Sequence, residues 1–389
     1  SIRRQRQMCI RDRAYKARNG RYRVAVETLN CKNLSEAYLW REKMEEILLK
    51  YIGSNTPALV VLLGQEAWSG YLSQDPDKVQ HMPALCGLVS RNTLILPKDS
   101  TSLQNWEPEN KDIYTDFPGY NIVGGYVYEY NLEKNIQLVQ RFYPNTSKIL
   151  FLSDNTFGGV CMQTWLKKEM QKFPEYELEL LDGRRQTFME VNGRIRSVSD
   201  STCVLVGTWR VDCTEDYVLG NTTYMLHDAN PELPVFTLSS VGLGNWALGG
   251  YMPDYCTQGK ELANDCIDYL ERDTRQKVCI HKIPNGYVFD VKRIHECGVD
   301  SIRLPKDTRL VNRTIPFIEQ YKYEVIVVVS IIIFLIVCLL MALFYISHIR
   351  KLRSHLRQQG EELHQAKDKA EESDRLKSAF LANMSHEIR

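Results

Sequence analysis

Twenty-two consecutive residues, Val325–Ile346, carry no charge and read VIVVVSIIIFLIVCLLMALFYI. As a helix this run covers about 33 Å, enough for a hydrocarbon core of about 30 Å. A buried helix of a soluble domain keeps a polar stripe at this length, and this run has none. Its one overtly polar residue, Ser330, can bond a carbonyl one turn back. Tyr321 and Tyr323 flank one end and Phe344 and Tyr345 the other, as interfacial aromatics do. The chain is therefore expected to cross a membrane once. Arg350, Lys351, Arg353 and Arg357 follow the span before any acidic residue, whereas Lys322 lies between Glu319 and Glu324. The positive-inside rule puts the C-terminal side in the cytoplasm and the residues before the span outside the inner membrane.

The rest of the composition is ordinary. A formal net charge of +1 with 25% charged and 44% hydrophobic residues excludes a wholly disordered chain and leaves no electrostatic footprint for nucleic acid. The opening stretch Ser1–Arg13 is polar and basic with no apolar face. Its string QMCIRDR resembles translated adapter sequence from DNA library preparation, so it is set aside from fold reasoning. Of the eleven cysteines, Cys9 lies in that stretch and Cys338 in the span. The remaining nine are widely spaced without CxxC pairs. Cys203 with Cys213, or Cys256 with Cys266, could be joined, and the sequence does not decide it. His81, His227, His281 and His295 have no metal-ligand spacing, so no metal site is expected.

Between Tyr22 and about Leu270, short apolar runs alternate with helix-length amphipathic ones. Strands are expected at Tyr22–Leu29, Ala58–Leu63, Ala84–Val89, Asn121–Tyr126, Lys148–Leu152, Thr202–Val206 and Val235–Leu238, and helices at Leu34–Tyr51, Leu132–Phe142 and Gly159–Phe173. Near-continuous apolar strands separated by helices imply parallel sheet covered on both faces, an α/β fold. No GxGxxG or GxxxxGK follows a strand, so nucleotide binding has no support in this region.

The series PALVVLLGQEAW, MPALCGLVS, NIVGGYVYEYNLEKNIQLVQRFYPNTSKILFLSDNTFGG and STCVLVGTW resembles a type I periplasmic binding protein. It is similar to the branch in which such a domain is the extracytoplasmic sensor of a histidine kinase, and IHECGVDSIRLPKDTRLVNRTIPFIEQYKYEV resembles that branch's exit into the membrane. The resemblance covers residues 14–323 and implies two lobes. Lobe one would hold 14–120 and part of 235–323, and lobe two 121–234. The family's first strand would precede Ala14 and is absent. Ligands of open parallel sheets sit beyond the carboxyl ends of the strands. Those ends place Glu66, Trp68, Ser90, Arg91, Asp154, Thr208, Arg210 and Ser239 as candidate ligand residues. Polar groups with Trp68 and Trp209 to stack on would suit a small polar ligand such as a sugar or amino acid. A cleft that binds nothing, with a periplasmic partner protein docked on the surface, is the other expectation. No pattern of catalytic residues is found outside the membrane.

After the span, residues 347–373 place Ile349, Leu352, Leu356, Gln359, Leu363, Ala366, Ala370 and Ser373 at alternating spacings of three and four, a coiled-coil seam. Leu376, Phe380 and Met384 continue it with a slip near Ser373. The last stretch, residues 374–389, reads DRLKSAFLANMSHEIR and resembles the dimerisation and phosphoacceptor motif of sensor histidine kinases. The resemblance implies a homodimer in which His386 is the phosphoacceptor and Glu387 its base or orienter. It also implies ATP with Mg2+ bound by a catalytic domain lying beyond this chain, and phosphorelay to a response-regulator receiver domain. His386 lies two residues from Met384, about 200° around the helix, and so off the seam. Imidazole is a workable nucleophile near neutral pH. The chain stops inside the motif and is expected to be a piece of a longer product. The alternative from another class is a membrane-anchored, non-enzymatic solute-binding receptor.

The orientation is testable by thiol labelling in intact spheroplasts. With the native pre-span cysteines replaced, Asp99→Cys is expected to react with an impermeant reagent before lysis and Ser354→Cys only after it. Labelling of position 354 before lysis reverses the orientation.

Overall fold

The computed structural model describes residues 23–100, 102–215, 217, 222–255, 258–271, 279–313 and 321–387. The chain forms two compact units, residues 1–313 and 314–389. Ser1–Arg13 lies outside the described residues.

The first unit is built on two sheets. One has four parallel strands in the order β1 (Val60–Leu63), β2 (Ala84–Ser90), β5 (Ile122–Tyr128) and β11 (Ile280–Lys282). The other runs β13 (Arg309–Val311), β12 (Asn285–Asp290), β10 (Gly249–Pro253), β9 (Val235–Thr237), β8 (Thr202–Val206), β6 (Lys148–Ser153) and β7 (Glu177–Asp182). Only β10 and β12 pair antiparallel in it. A two-stranded ribbon, β3 (Asn92–Thr93) with β4 (Lys111–Asp112), hangs from the first lobe.

Each sheet is covered on both faces, which is why its strands read as unbroken apolar runs. In the first lobe the helices Ala37–Leu49 and Gln65–Leu72 bury Met44, Leu48, Trp68 and Tyr71 on one face. The helix Gln258–Glu271 brings Leu262, Cys266 and Tyr269 onto Leu85 and Val123 on the other. In the second lobe Leu138, Phe142, Met162 and Leu166 pack on Ile149, Phe151 and Leu205. Val191, Ile195 and Leu226 pack on Leu150, Val204 and Val206 from the opposite side, as alternation along a strand requires.

The chain passes between the lobes three times: after β5, after β10, and from β11 to β12. Two α/β lobes joined by three crossings make the periplasmic-binding-protein-like architecture. The lobe boundary moves relative to the sequence reading. Residues 122–128 pair with β2, so the first lobe extends to Tyr128 instead of ending at 120. β9, β10, β12 and β13 belong to the second lobe, so it does not end at 234. Apolar runs show where strands are but not which sheet they join.

The expected strand at Tyr22–Leu29 does not form over residues 23–29, where Val24 and Val26 are exposed. Alternating valines give a strand pattern, but a strand needs a neighbour's backbone, and no described residue pairs with this segment. In its own sheet β1 is the edge strand. Cys203 and Cys213 are free thiols, so that bridge is absent, and Cys256 lies outside the described residues.

The second unit contains one helix, Lys322–Glu387, of 66 residues. At 1.5 Å per residue it is roughly 100 Å long. It begins with the apolar run, whose side chains are exposed, and it continues through Gly360 without a break. The Ser330 hydroxyl donates to the Ile326 carbonyl at 2.8 Å, one turn back. Leu352, Leu356, Leu363 and Leu376 of the expected seam are exposed in the single chain.

Gly125 shows how closely β2 and β5 approach. Its φ is +140°, and a Cβ there would lie 2.3 Å from the Cys86 carbonyl oxygen. Gly125→Ala is expected to lower stability by roughly 2–4 kcal/mol, combining strain with overpacking. Urea unfolding followed by tryptophan fluorescence measures it, and a change within about 0.5 kcal/mol would contradict the close approach.

Candidate interlobe ligand site

The crossings bring the carboxyl ends of both sheets to one region and are bonded to one another. Ile283 N–H donates to Val127 O at 2.8 Å and Asp254 N–H to Pro284 O at 2.9 Å. Asn285 Nδ2 donates to Glu129 O at 2.9 Å. Glu129 also takes an ion pair from Lys282 and one from Arg91 at 3.5 Å.

Arg91 is thus a hinge residue. It lies 2.6 Å from Asp112 and 5.0 Å over the Tyr114 ring, so its charge is already matched. It follows a bulge in β2 between Cys86 and Val89, where Leu88 adopts φ 59°. That left-handed residue re-aims the end of the strand. Ser90 is buried and spent locally: its N–H donates to Gln65 Oε1 at 2.8 Å, and its hydroxyl accepts from Asn92 N–H at 3.2 Å.

Trp68 does not line the cleft. It is wholly buried in the first-lobe core and stacks on Tyr71 at 6.4 Å. Trp209 likewise packs in the second-lobe core with Leu150 and Trp246. Their large apolar area draws both rings inward even though they stand at strand ends. Burial pushes the Tyr128 phenol and the Cys161 thiol up, and half-buried Glu66, one residue into the helix Gln65–Leu72, is close enough to add to both shifts.

Asp154, Thr208 and Arg210 do come together, at the ends of the adjacent strands β6 and β8. Asp154 Oδ1 accepts from the Thr208 hydroxyl at 2.7 Å, the Thr156 hydroxyl at 2.6 Å and Thr156 N–H at 3.3 Å. The Thr156 hydroxyl in turn accepts from Gly159 N–H at 3.1 Å and caps the helix Phe157–Met170. Glycine is required around this carboxylate: a Cβ on Gly159 would sit 2.3 Å from Oδ1, and one on Gly183 2.8 Å from the Asp154 Cα. Asp154 Oδ2 is buried with no hydrogen-bond partner among the described residues. Burial pushes this carboxyl above its ordinary range; the bonds from Thr156 and Thr208 and the charge of exposed Arg210 oppose that rise without cancelling it. Ser239 is a loop staple, donating to Gly207 O at 2.9 Å and accepting from Val241 N–H at 3.2 Å.

A ring cluster at the hinge was not anticipated from sequence. Tyr128 meets Tyr130 at 5.5 Å and Tyr255 at 5.4 Å, and Tyr130 meets Trp165 at 5.6 Å. The Tyr130 hydroxyl shares hydrogen bonds with those of Tyr128 and Tyr255, and burial raises the phenols of Tyr128 and Tyr130. The alternation Tyr126, Tyr128, Tyr130 was the available signal, since residues two apart in a strand share a face.

The site therefore offers neutral hydroxyls, a buried carboxyl and aromatic faces, with Arg91 already ion-paired. Among the described residues no group of three or more His, Cys, Asp or Glu side chains is placed to hold a metal. The side chains of His386 and Glu387 lie outside the described residues; their backbone is helical.

No protein-family model and no curated protein matches the chain. Several solved structures overlay on it. A ligand-free, open substrate-binding protein with adhesive properties from Clostridium difficile does so at TM-score 0.48 and 12% identity, over 81% of this chain and 96% of that one. A Streptococcus pneumonia ABC domain in complex with L-Trp gives TM-score 0.46 and 14% identity over 70% and 86%. The fructose-binding periplasmic domain of a hybrid two-component system gives 0.44 and 11% over 76% and 89%. At these scores the fold assignment rests on the chain's own sheet order and three crossings.

The raised Asp154 pKa has a defined sign. Below about pH 3.9 the group is protonated in folded and unfolded chains alike, and stability falls as pH rises through the folded value. Asp154→Asn keeps an oxygen for Thr156 and Thr208 and removes the buried charge. The variant is expected to melt higher than wild type at pH 7, with the gain vanishing near pH 4. Thermal melts at the two pH values decide it, and a variant less stable at pH 7 would contradict the burial penalty.

Proposed function

We propose that the chain is the input and phosphoacceptor portion of a transmembrane sensor histidine kinase, acting as a homodimer in the bacterial inner membrane. One observation carries this reading: residues 380–387 of the FLANMSHEIR motif lie in the same unbroken helix, Lys322–Glu387, whose first turns are the apolar span. The outer unit has the two-lobed architecture suited to a small ligand between strand ends, and its neutral hydrogen-bonding groups favour a small polar ligand over a docked periplasmic protein. A change in lobe contacts alters the helix that leaves the domain, and the phase of that helix controls access to His386.

In this reading ATP with Mg2+ is held by the kinase's catalytic domain. The His386 imidazole attacks the γ-phosphorus, an N–P bond forms, and ADP leaves. Glu387 accepts or orients the ring proton. The phosphoryl group then passes to a receiver-domain carboxylate of a response regulator.

With a catalytic domain fused after Arg389, ATP is expected to label His386 with acid-labile, base-stable phosphate. His386→Gln should abolish the label, and Glu387→Ala should slow it about 10²-fold. Label that persists in His386→Gln, or that survives acid as on Ser385, overturns the assignment. A chain that takes no phosphate at all supports the non-enzymatic receptor instead.

A further inference from the structure

The two lobes are joined by more than their crossings. Between β3 and β4 the chain leaves the first lobe and returns, and the ribbon closes the base of this excursion: Asn92 pairs with Asp112 and Thr93 with Lys111. Asn92 Nδ2 donates to Asn110 Oδ1 at 2.8 Å across the same base. The arm beyond it lies between the lobes, with Leu96 N–H donating to Ser73 Oγ of the first lobe at 2.8 Å. Leu94 and Leu96, with Leu34 and Trp40, form one apolar cluster with Phe157, Val160 and Cys161, and Leu103 and Trp106 pack against it. Trp40 meets Phe157 edge-on at 6.3 Å.

The polar part of the grip falls on the segment Leu103–Asn110. Glu107 pairs with Lys167 at 2.9 Å and with Arg185 at 2.8 Å. Arg185 Nε donates to Gln104 O at 3.1 Å. Arg184 is 2% exposed and held by Asp182 at 2.8 Å and Gln163 at 2.6 Å, and its Nη1 donates to the Trp106 carbonyl. Releasing the arm takes that acceptor from a buried guanidinium, so letting go requires water to enter and favours two discrete arrangements over gradual loosening.

We propose that the segment Leu103–Asn110 is a latch between the lobes, and that its release sets how often the interlobe region opens. The helix Phe157–Met170 links the latch to the hinge: its first turns carry Phe157, Val160 and Cys161 at the seam, and Trp165 further along meets hinge residue Tyr130. Hinge movement and latch release therefore act on one rigid element. The device does not depend on any ligand or on phosphorylation, so its test stands apart from the sensor-kinase reading.

The seam supplies its own reporter. Cys161 is 5% exposed at the interlobe seam, where its sulfur accepts from first-lobe Gln65 Nε2 at 3.8 Å, whereas Cys203 is wholly buried inside the second lobe and reports unfolding of that lobe. In the full chain in detergent, alkylation of both thiols is followed by mass spectrometry at fixed pH. Glu107→Lys turns two attractions into repulsions and is expected to speed Cys161 labelling about five- to tenfold without changing Cys203. Adding Lys167→Glu and Arg185→Glu should restore the slow rate. Trp106→Ala, which removes the apolar grip without altering charge, should also accelerate Cys161 alone. Unchanged Cys161 labelling in both Glu107→Lys and Trp106→Ala, or parallel acceleration of Cys161 and Cys203, overturns the latch.

Discussion

Three chain crossings, bonded to one another, hold the first unit together. Val127 with Ile283, Asp254 with Pro284 and Glu129 with Asn285 tie the first crossing to the third and the second to the third. Each lobe completes its sheet only with strands that arrive through these crossings: β11 returns to the first sheet, and β12 and β13 follow it into the second. Neither lobe is therefore a simple run of sequence. The crossings also set the candidate site, because they bring the carboxyl ends of β2, β5, β6 and β8 to a common region.

The polar residues at those ends divide by what they cost to bury. The Ser90 hydroxyl accepts from Asn92 N–H and the Ser239 hydroxyl ties its loop to Gly207 at the end of β8, so both serve the backbone. Asp154 is different: one oxygen accepts three bonds, and the other is buried without a partner among the described residues. A carboxyl kept this way sits above its ordinary pKa and is a hydrogen-bonding group of high energy. Such a group is uncommon in a purely structural role, and its neighbours Thr208 and Arg210 make it the focus of the second-lobe wall.

The tyrosines at the hinge and the apolar seam at the arm bracket the helix Phe157–Met170, which is capped by Thr156 beside Asp154. One helix thus touches the carboxyl, the hinge rings and the first lobe's arm. In the other unit a single helix carries both the apolar run and residues 380–387 of the FLANMSHEIR stretch, so continuous helical backbone joins the two.

Much of this was legible in the residues. The helix Leu132–Phe142 and the strand Thr202–Val206 have the bounds their periodicity predicts, and the apolar run predicts a helix. Strand β7, Glu177–Asp182, escaped notice because it lies at a sheet edge and alternates Glu with Leu instead of showing an apolar run. The motif around His386 needs no fold to be recognised, because its spacing along one helix is local. Sheet membership is not local: β5 looks like the start of a second lobe, and only pairing with β2 assigns it to the first. Trp68 and Trp209 stand at strand ends in sequence, yet the packing of helices over each sheet decided that both rings go inward. The contact of Glu107 with Lys167 and Arg185 joins residues 60 and 78 positions apart, and only the packing of one lobe against the other brings those charges together.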